Sequence, residues 1–337
     1  MKIIDPVLVP DVSLWVDHIN SKEFEDGGCE SVIVGLYFQT VNGKKVLMPV
    51  CRNQCTEVAT HSSMVLQAYY WDDIILDPVT QANLVADCLV SEGLPIKWIW
   101  ADDEQWWNNW TLYNLARRGF YPMSLVPKVS PTNISLHMQT YAQILSARFP
   151  QFGVYTNNGF VASWASSMNT WLPKYRSWIA EYVHEPSMVT AMTWEQLKAN
   201  WLPNFDINLA AGQLPSLVAG LQFTGDRIKL PGSYDQYNQQ MTLDVSVFSK
   251  AFIDVLRGGA VPTPIPVPVP VPIPTNEYFV NVGLVNVRSG PATTYSLVGT
   301  LALNTKVIVT NPTSTNGYLN IGLSKWVFGQ YLTKVAN

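Results

Sequence analysis

Over residues 1–258 short apolar runs alternate with longer amphipathic stretches. The runs at 7–12, 32–38, 66–71, 96–101, 153–156, 178–183, 217–223 and 243–248 are rich in β-branched or aromatic residues and are bounded by turn residues. That pattern predicts eight strands. Between them, Ile134, Met138, Tyr141 and Leu145 recur at spacings of four, three and four, placing one apolar face on a helix that Ser130 and Pro131 would open. A βα alternation of this count predicts an α/β fold, a (β/α) barrel, in preference to an open doubly wound sheet. No Gly-x-Gly-x-x-Gly or phosphate-binding loop follows any of the runs, which removes the main nucleotide readings.

The pattern breaks at residues 262–274, where every second residue is proline. Such a segment lacks half of its backbone donors and joins neither helix nor sheet. As polyproline II it would extend about 3.1 Å per residue, a stiff spacer of roughly 40 Å. A ligand for a proline-recognising domain is the alternative. Beyond it, short β-rich pieces at 278–281, 285–288, 297–301, 306–310, 318–321 and 326–328 are separated by turn residues, as in a small all-β barrel. The chain is therefore divided into a barrel at 1–258, a Pro-rich linker at 259–275 and a small β domain at 276–337.

Composition narrows the functions. Of the 337 residues 47% are hydrophobic and 14% charged, which suits packed domains and not a disordered chain. A net charge of −4 without a Lys/Arg cluster argues against nucleic acid as a partner. No apolar run is long enough for a membrane span. The start, Met1-Lys2-Ile3-Ile4-Asp5-Pro6, lacks the apolar core of a secretory signal, so the expectation is a protein made inside a cell and released another way, or one whose signal was trimmed. Cys29, Cys51, Cys55 and Cys88 include one C-x3-C pair without a second pair or a His-x3-His, so no zinc site is expected, and disulfide pairing stays open. His18, His61, His137 and His184 show no ligand spacing. Neither a metal nor a cofactor is expected.

Acidic residues at strand ends carry the candidate chemistry. Asp11 closes the first run, Asp102-Asp103-Glu104 follows the fourth, and Asp244 opens the eighth. On a strand, residues two apart share a face, so Asp102 and Glu104 would point together into a barrel mouth and Asp103 away from it. Close carboxyl groups raise one another's pKa and keep a proton available to a leaving oxygen, which assigns Glu104 as general acid. A solvated acidic turn is the bland alternative. Trp71 and one of Trp106 and Trp107 would offer ring faces to a sugar, while most of the 13 Trp are expected in the core.

Asp11-Val12-Ser13-x-Trp15, the strand ending in Asp102-x-Glu104, Gly153-Val154-Tyr155-Thr156, Trp178-Ile179-Ala180-x-Tyr182, Leu221-Gln222-Phe223 and Asp244-x-x-x-Phe248 occur in this order. In that order and spacing the chain resembles glycoside hydrolase family 25, the Chalaropsis-type lysozymes and many phage endolysins. The resemblance implies an irregular, TIM-like barrel and an N-acetylmuramidase that cuts the β-1,4 bond between N-acetylmuramic acid and N-acetylglucosamine in peptidoglycan. It implies Glu104 as proton donor, Asp102 orienting the substrate N-acetyl group, and Asp11 and Asp244 completing an acidic floor. Tyr155 and Gln222 would lie near the sugar, and Tyr37, Tyr69 and Trp71 stand at the second and third strand ends in place of the family's usual segments.

The segment Val285-Asn286-Val287-Arg288-Ser289-Gly290-Pro291, with Thr305-Lys306-Val307 and Trp326-Val327, resembles the bacterial SH3-like cell-wall domain. That resemblance implies binding to peptidoglycan peptides or bridges; a structural or dimerising barrel is the alternative. Together the two halves point to a modular wall hydrolase acting at the bacterial cell wall, a phage endolysin or secreted autolysin. An inactive wall-binding or virion structural protein and a chitinase-like glycosidase remain as alternatives.

Overall fold

The structure, a computed structural model, describes residues 3–74, 76–104, 117–118, 131–182, 195–196, 199, 209, 213–258, 277–309, 311–321 and 325–334. Ser130, Trp106, Trp107, His184 and the Pro-rich spacer at 262–274 lie outside them. The chain forms two compact units, one holding the strands up to Ser249 and the helix that follows, the other holding those from Glu277 onward.

The first unit runs β1 (Pro6–Val12), β2 (His18–Ile19), α1 (Ser21–Asp26), β3 (Ser31–Gly35), β4 (Phe38–Val41), β5 (Lys44–Leu47), α2 (Pro49–His61), β6 (Val65–Trp71), α3 (Pro78–Glu92), β7 (Trp98–Asp102), α4 (Pro131–Arg148), β8 (Phe152–Asn157), α5 (Asn158–Trp164), β9 (Arg176–Ala180), β10 (Val218–Tyr234), β11 (Gln240–Ser249) and α6 (Lys250–Leu256). Among the described residues eight strands close into a barrel in the order β11-β1-β3-β6-β7-β8-β9-β10, with β10 pairing back onto β11. All eight expected runs are strands of this barrel, and the expected face of α4 is buried at Ile134, Met138, Tyr141 and Leu145.

The expected irregular α/β barrel is found, its irregular part being the last two strands, and two strand ends need correction. The last strand is antiparallel to both neighbours, so the barrel is mixed. A two-way hairpin joins β10 to β11 instead of a helical crossover, and β10 continues to Tyr234, well beyond the expected end at Phe223. The run at 32–38 stops at Gly35, because Phe38–Val41 folds onto Lys44–Leu47 as a separate hairpin. Its turn is Asn42-Gly43, both at positive φ (50° and 76°), the geometry that matches strand twist.

Period-two alternation stacks the barrel interior in layers. Along β7 and the two residues beyond it, Trp98, Trp100, Asp102 and Glu104 climb one face, from apolar floor to acidic mouth. The middle layer holds Trp100, Trp178 and Phe248, with ring centroids 5.9 Å apart in each pair. Rings this large fit because glycines face them. A Cβ on Gly153 would come within 2.3 Å of the Trp100 ring, and one on Gly220 within 2.7 Å of the Phe248 ring. The indole nitrogens are satisfied inside the barrel, Trp100 Nε1 donating to Gln67 Oε1 (2.9 Å) and Trp178 Nε1 to Ser246 Oγ (3.0 Å). Phe252 of α6 plugs the far end, 5.1 Å from Trp98. Cys29, Cys51, Cys55 and Cys88 are buried free thiols, and burial pushes Cys55 and Cys88 up to about 12.

The second unit is antiparallel β. It comprises β12 (Glu277–Val280), β13 (Leu284–Arg288), β14 (Leu297–Ala302), β15 (Lys306–Ile308), β16 (Asn311–Thr315), β17 (Tyr318–Asn320), β18 (Trp326–Phe328) and β19 (Leu332–Lys334). One sheet is β15-β12-β19 and the other β14-β13-β18-β17-β16. Both close over Val280, Val285, Val287, Val309, Leu319, Val327 and Leu332. Asn311–Thr315 and Leu332–Lys334 were not expected as strands; both are too polar or too short for an apolar-run criterion. No described helix is long and apolar enough to cross a membrane.

Candidate active site

The C-terminal ends of the parallel strands and the first half of the antiparallel β11 meet at one mouth of the barrel, as the pairing of Asp11 with Asp244 records. A cleft of about 310 Å³ opens there. Its lining includes Asp11, Tyr37, Tyr69, Trp71, Asp102, Glu104, Tyr155, Gln222 and Asp244, so every described residue expected at the site reaches it. Trp106 falls outside the described residues. Asp103, as alternation requires, points away and is fully buried.

Gln222, itself buried on β10, ties the acidic floor together. Its Nε2 donates to Asp11 Oδ2 (2.9 Å) and Asp244 Oδ2 (3.3 Å), while its Oε1 accepts from the Tyr155 hydroxyl (2.6 Å) and the Tyr182 hydroxyl (2.9 Å). The two tyrosines fix which end of the amide faces the carboxylates. One neutral side chain thereby bridges two acids that would otherwise repel as register partners on adjacent strands.

Asp102 and Glu104 stand opposite this floor. Burial raises the Asp102 carboxyl well above its ordinary value, and the negative charges of Glu104, Asp103, Asp11 and Asp244 push the same way. Burial also raises Glu104, against hydrogen bonds from Asn157 and Tyr155 that lower it. Asn157 Nδ2 reaches Glu104 Oε2 at 3.5 Å. Asp102 Oδ1 is buried without a hydrogen-bond partner. No lysine or arginine appears in the lining among the described residues. Such a site keeps protons on carboxyl groups to higher pH than an exposed carboxylate would and presents negative charge to a centre that becomes positive.

The walls are aromatic. Tyr37 and Tyr69 share a hydroxyl contact of 2.9 Å, and burial pushes Tyr37 up to about 12. The glycine at 35 makes room for them, since a Cβ there would lie 2.6 Å from the Tyr37 ring and 2.8 Å from the Tyr69 ring. Trp71 and Trp15 line the cleft while remaining 45% and 74% exposed, unusual for indoles.

Sequence reasoning gave no role to Trp15, Asn157 or Tyr182. Asn157 was within reach of the alternation rule, two residues beyond Tyr155 on the same face of β8. Trp15 follows β1 on a turn held by Gln54 Nε2, which donates to the carbonyls of Ser13 (3.1 Å) and Val16 (2.7 Å). That tie from α2 has no local sequence signal.

No family model matches the sequence, and no curated protein does. Among solved structures the chain is similar to a family 25 glycosyl hydrolase from Bacillus anthracis, at 13% identity over 72% of this chain and 88% of that one, with a TM-score of 0.47. It is similar to a bacterial lysozyme from Streptomyces coelicolor (14% identity, 76% and 98% covered, TM-score 0.48) and to a muramidase from Acremonium alcalophilum (14%, 75% and 99%, 0.49). At these values the likenesses assign no role to any residue.

Proposed function

We propose that the protein is a peptidoglycan hydrolase, an N-acetylmuramidase that cleaves the β-1,4 bond between N-acetylmuramic acid and N-acetylglucosamine. The observation that carries this is the pairing of two buried carboxyls, Asp102 and Glu104, with the Asp11–Gln222–Asp244 floor inside one aromatic-walled cleft. Glu104 donates its proton to the leaving glycosidic oxygen. Asp102 orients the N-acetyl group of the sugar, whose carbonyl oxygen attacks the anomeric carbon as the bond to the leaving oxygen breaks, one of the substrate-assisted departures from two-carboxylate catalysis. Asp11 and Asp244 contribute negative charge beneath the oxocarbenium-like centre, and Trp71 receives a sugar face. The order of motifs along the sequence supports the same assignment.

Residues 276–337 form, in this reading, an SH3-like wall-binding domain joined through the linker at 259–275 to the catalytic barrel at 1–258. Tethering raises the concentration of the barrel at its polymer without adding a contact to the cleft. The protein acts at the bacterial wall as an endolysin or autolysin.

Purified Gram-positive walls and chitin, incubated separately with the full chain, test this. Release of reducing-terminal muramic acid from walls is the expected result. Cleavage of chitin alone would replace the substrate, and wall binding without new reducing ends would make the barrel a non-catalytic one.

A further inference from the structure

Behind the cleft, on the outer face of the barrel, sits a second group of acids with no part in the proposed reaction. The register of β6 against β7 pairs Trp71 with Asp102, and the Asp72 amide donates to the Asp102 carbonyl (3.2 Å). The next positions along these parallel strands, Asp72 and Asp103, are therefore lateral neighbours with side chains on the same outward face. Both are fully buried. Asp72 Oδ1 accepts from Gln81 Nε2 (3.1 Å) and faces His137 Nε2 at 2.9 Å. Its Oδ2, both carboxyl oxygens of Asp103 and the hydroxyl of Tyr141 are buried without a hydrogen-bond partner.

Of these four oxygens only the Tyr141 hydroxyl brings a proton of its own, and three carboxyl oxygens buried beside it are costly unless a carboxyl carries another. Among the described residues a ring nitrogen of His137 lies against Asp72, and no basic side chain lies against Asp103. We propose that Asp103 is held as a neutral carboxylic acid beside Asp72, and that this buried acid pair, closed over by His137 and Tyr141 of α4, is the positioning element that aims Asp102 and Glu104 into the cleft.

The backbone of Asp103 supports the link to the site. Its amide donates to the Tyr155 carbonyl (2.9 Å) and its carbonyl accepts from Thr156 Oγ1 (2.7 Å). Asp103 is thus pinned on both sides between the two candidate catalytic carboxyls, and its side chain fixes the rotation of the strand end. Burial, and then the charge of Asp72, raise its pKa well above the ordinary carboxylate range. Among the described residues the titratable groups near enough to act on it are Asp72 just beyond β6, Tyr141 of α4, Tyr175 before β9 and Asp102, whose side chain points the other way, while Tyr70 of β6 and His137 of α4 act on Asp72.

The sign follows. A carboxyl whose pKa is raised on folding keeps its proton in the native state while the unfolded chain loses it. The stability it allows is full below the unfolded value and falls as pH rises toward the folded value. Asn at position 103 has the same shape, no charge to lose, and a donor for Asp72 Oδ2.

The inference rests on the muramidase reading only for what the strand end does, so the test includes two readouts that need no substrate. Urea midpoints of the full chain are compared from pH 4 to pH 8 for wild type, Asp103→Asn and Asp103→Ala, together with hydrogen exchange across residues 98–104. The wild-type midpoint is expected to fall with pH more steeply than that of Asp103→Asn. Exchange at 98–104 should quicken at least tenfold in Asp103→Ala and stay at the wild-type rate in Asp103→Asn. On walls, Asp103→Ala should lose about tenfold in kcat at unchanged KM, with Asn restoring it. Parallel pH profiles for wild type and Asn would overturn the neutral acid, and wild-type exchange in Asp103→Ala would overturn the positioning role. Both substrate-free results as expected, with no cleavage of walls by any form, would overturn the muramidase reading alone.

Discussion

Replacing Gln222 with methionine keeps the volume of the side chain and removes all four of its hydrogen bonds. Tyr182 is 56% exposed and can turn to water, and the buried Tyr155 hydroxyl keeps its bond to Glu104, so the loss at the tyrosines is small. The two bonds to carboxylates are different. Asp11 is 7% exposed, so water is a poor replacement for the lost donor. A hydrogen bond to a charged group contributes about 1.5–3 kcal/mol, and the 3.3 Å bond to Asp244 belongs at or below the low end of that range. The expected loss is about 3 kcal/mol, roughly a 150-fold shift in the unfolding equilibrium. In a domain of this size that corresponds to a Tm lower by about 6–12 °C. Removing the bridge also leaves Asp11 and Asp244 to repel each other, so both should bind protons more readily and the loss should shrink at acid pH. Urea unfolding at pH 5 and pH 7, followed by Trp fluorescence, measures this. A loss under about 1 kcal/mol at pH 7, or one that grows on acidification, would refute the view of Gln222 as the tie of the acidic floor.

Three further outcomes follow from the same structure. Gly35→Ala drives a methyl into the Tyr37 and Tyr69 rings, 2.6 and 2.8 Å away, and should raise KM on walls with a stability cost of about 1–3 kcal/mol by urea titration. Glu104 must be protonated to act, and its burial-raised pKa places the fall of activity at higher pH than an ordinary glutamate would; Asn157→Leu removes a bond that lowers it, so the alkaline limb of the kcat profile should move upward. The four buried thiols should resist a thiol reagent in the native protein and all react after unfolding, with no effect of reductant on the urea midpoint.

Much of the barrel was legible because its strands are buried on both faces and read as apolar runs bounded by turns. The antiparallel return of β11 was not, since Leu243–Phe248 has the same composition whichever way it runs, and direction is set by the hairpin from Tyr234 to Gln240. At the site, alternation alone separated Asp102 and Glu104 from Asp103. It could not say that Gln222 would face two carboxylates contributed by strands 211 and 22 residues away in sequence, a contact made only by barrel closure. Nor could it show that Asp103, an acid on an outward face, would be buried against Asp72, because that depends on α4 covering the ends of β6 and β7. Trp15 was visible as a residue, but its exposure at the rim depends on the Gln54 tie from α2.

The most direct test compares wild type and Glu104→Gln on purified walls by release of reducing-terminal muramic acid, with urea midpoints measured on both. Loss of a positioned general acid predicts a fall in kcat of about 100-fold or more, at a midpoint equal to or above that of wild type, since the variant removes a buried ionisable group. A Gln form that cleaves walls at the wild-type rate would contradict the assignment of Glu104 and, with it, the proposed chemistry of the cleft.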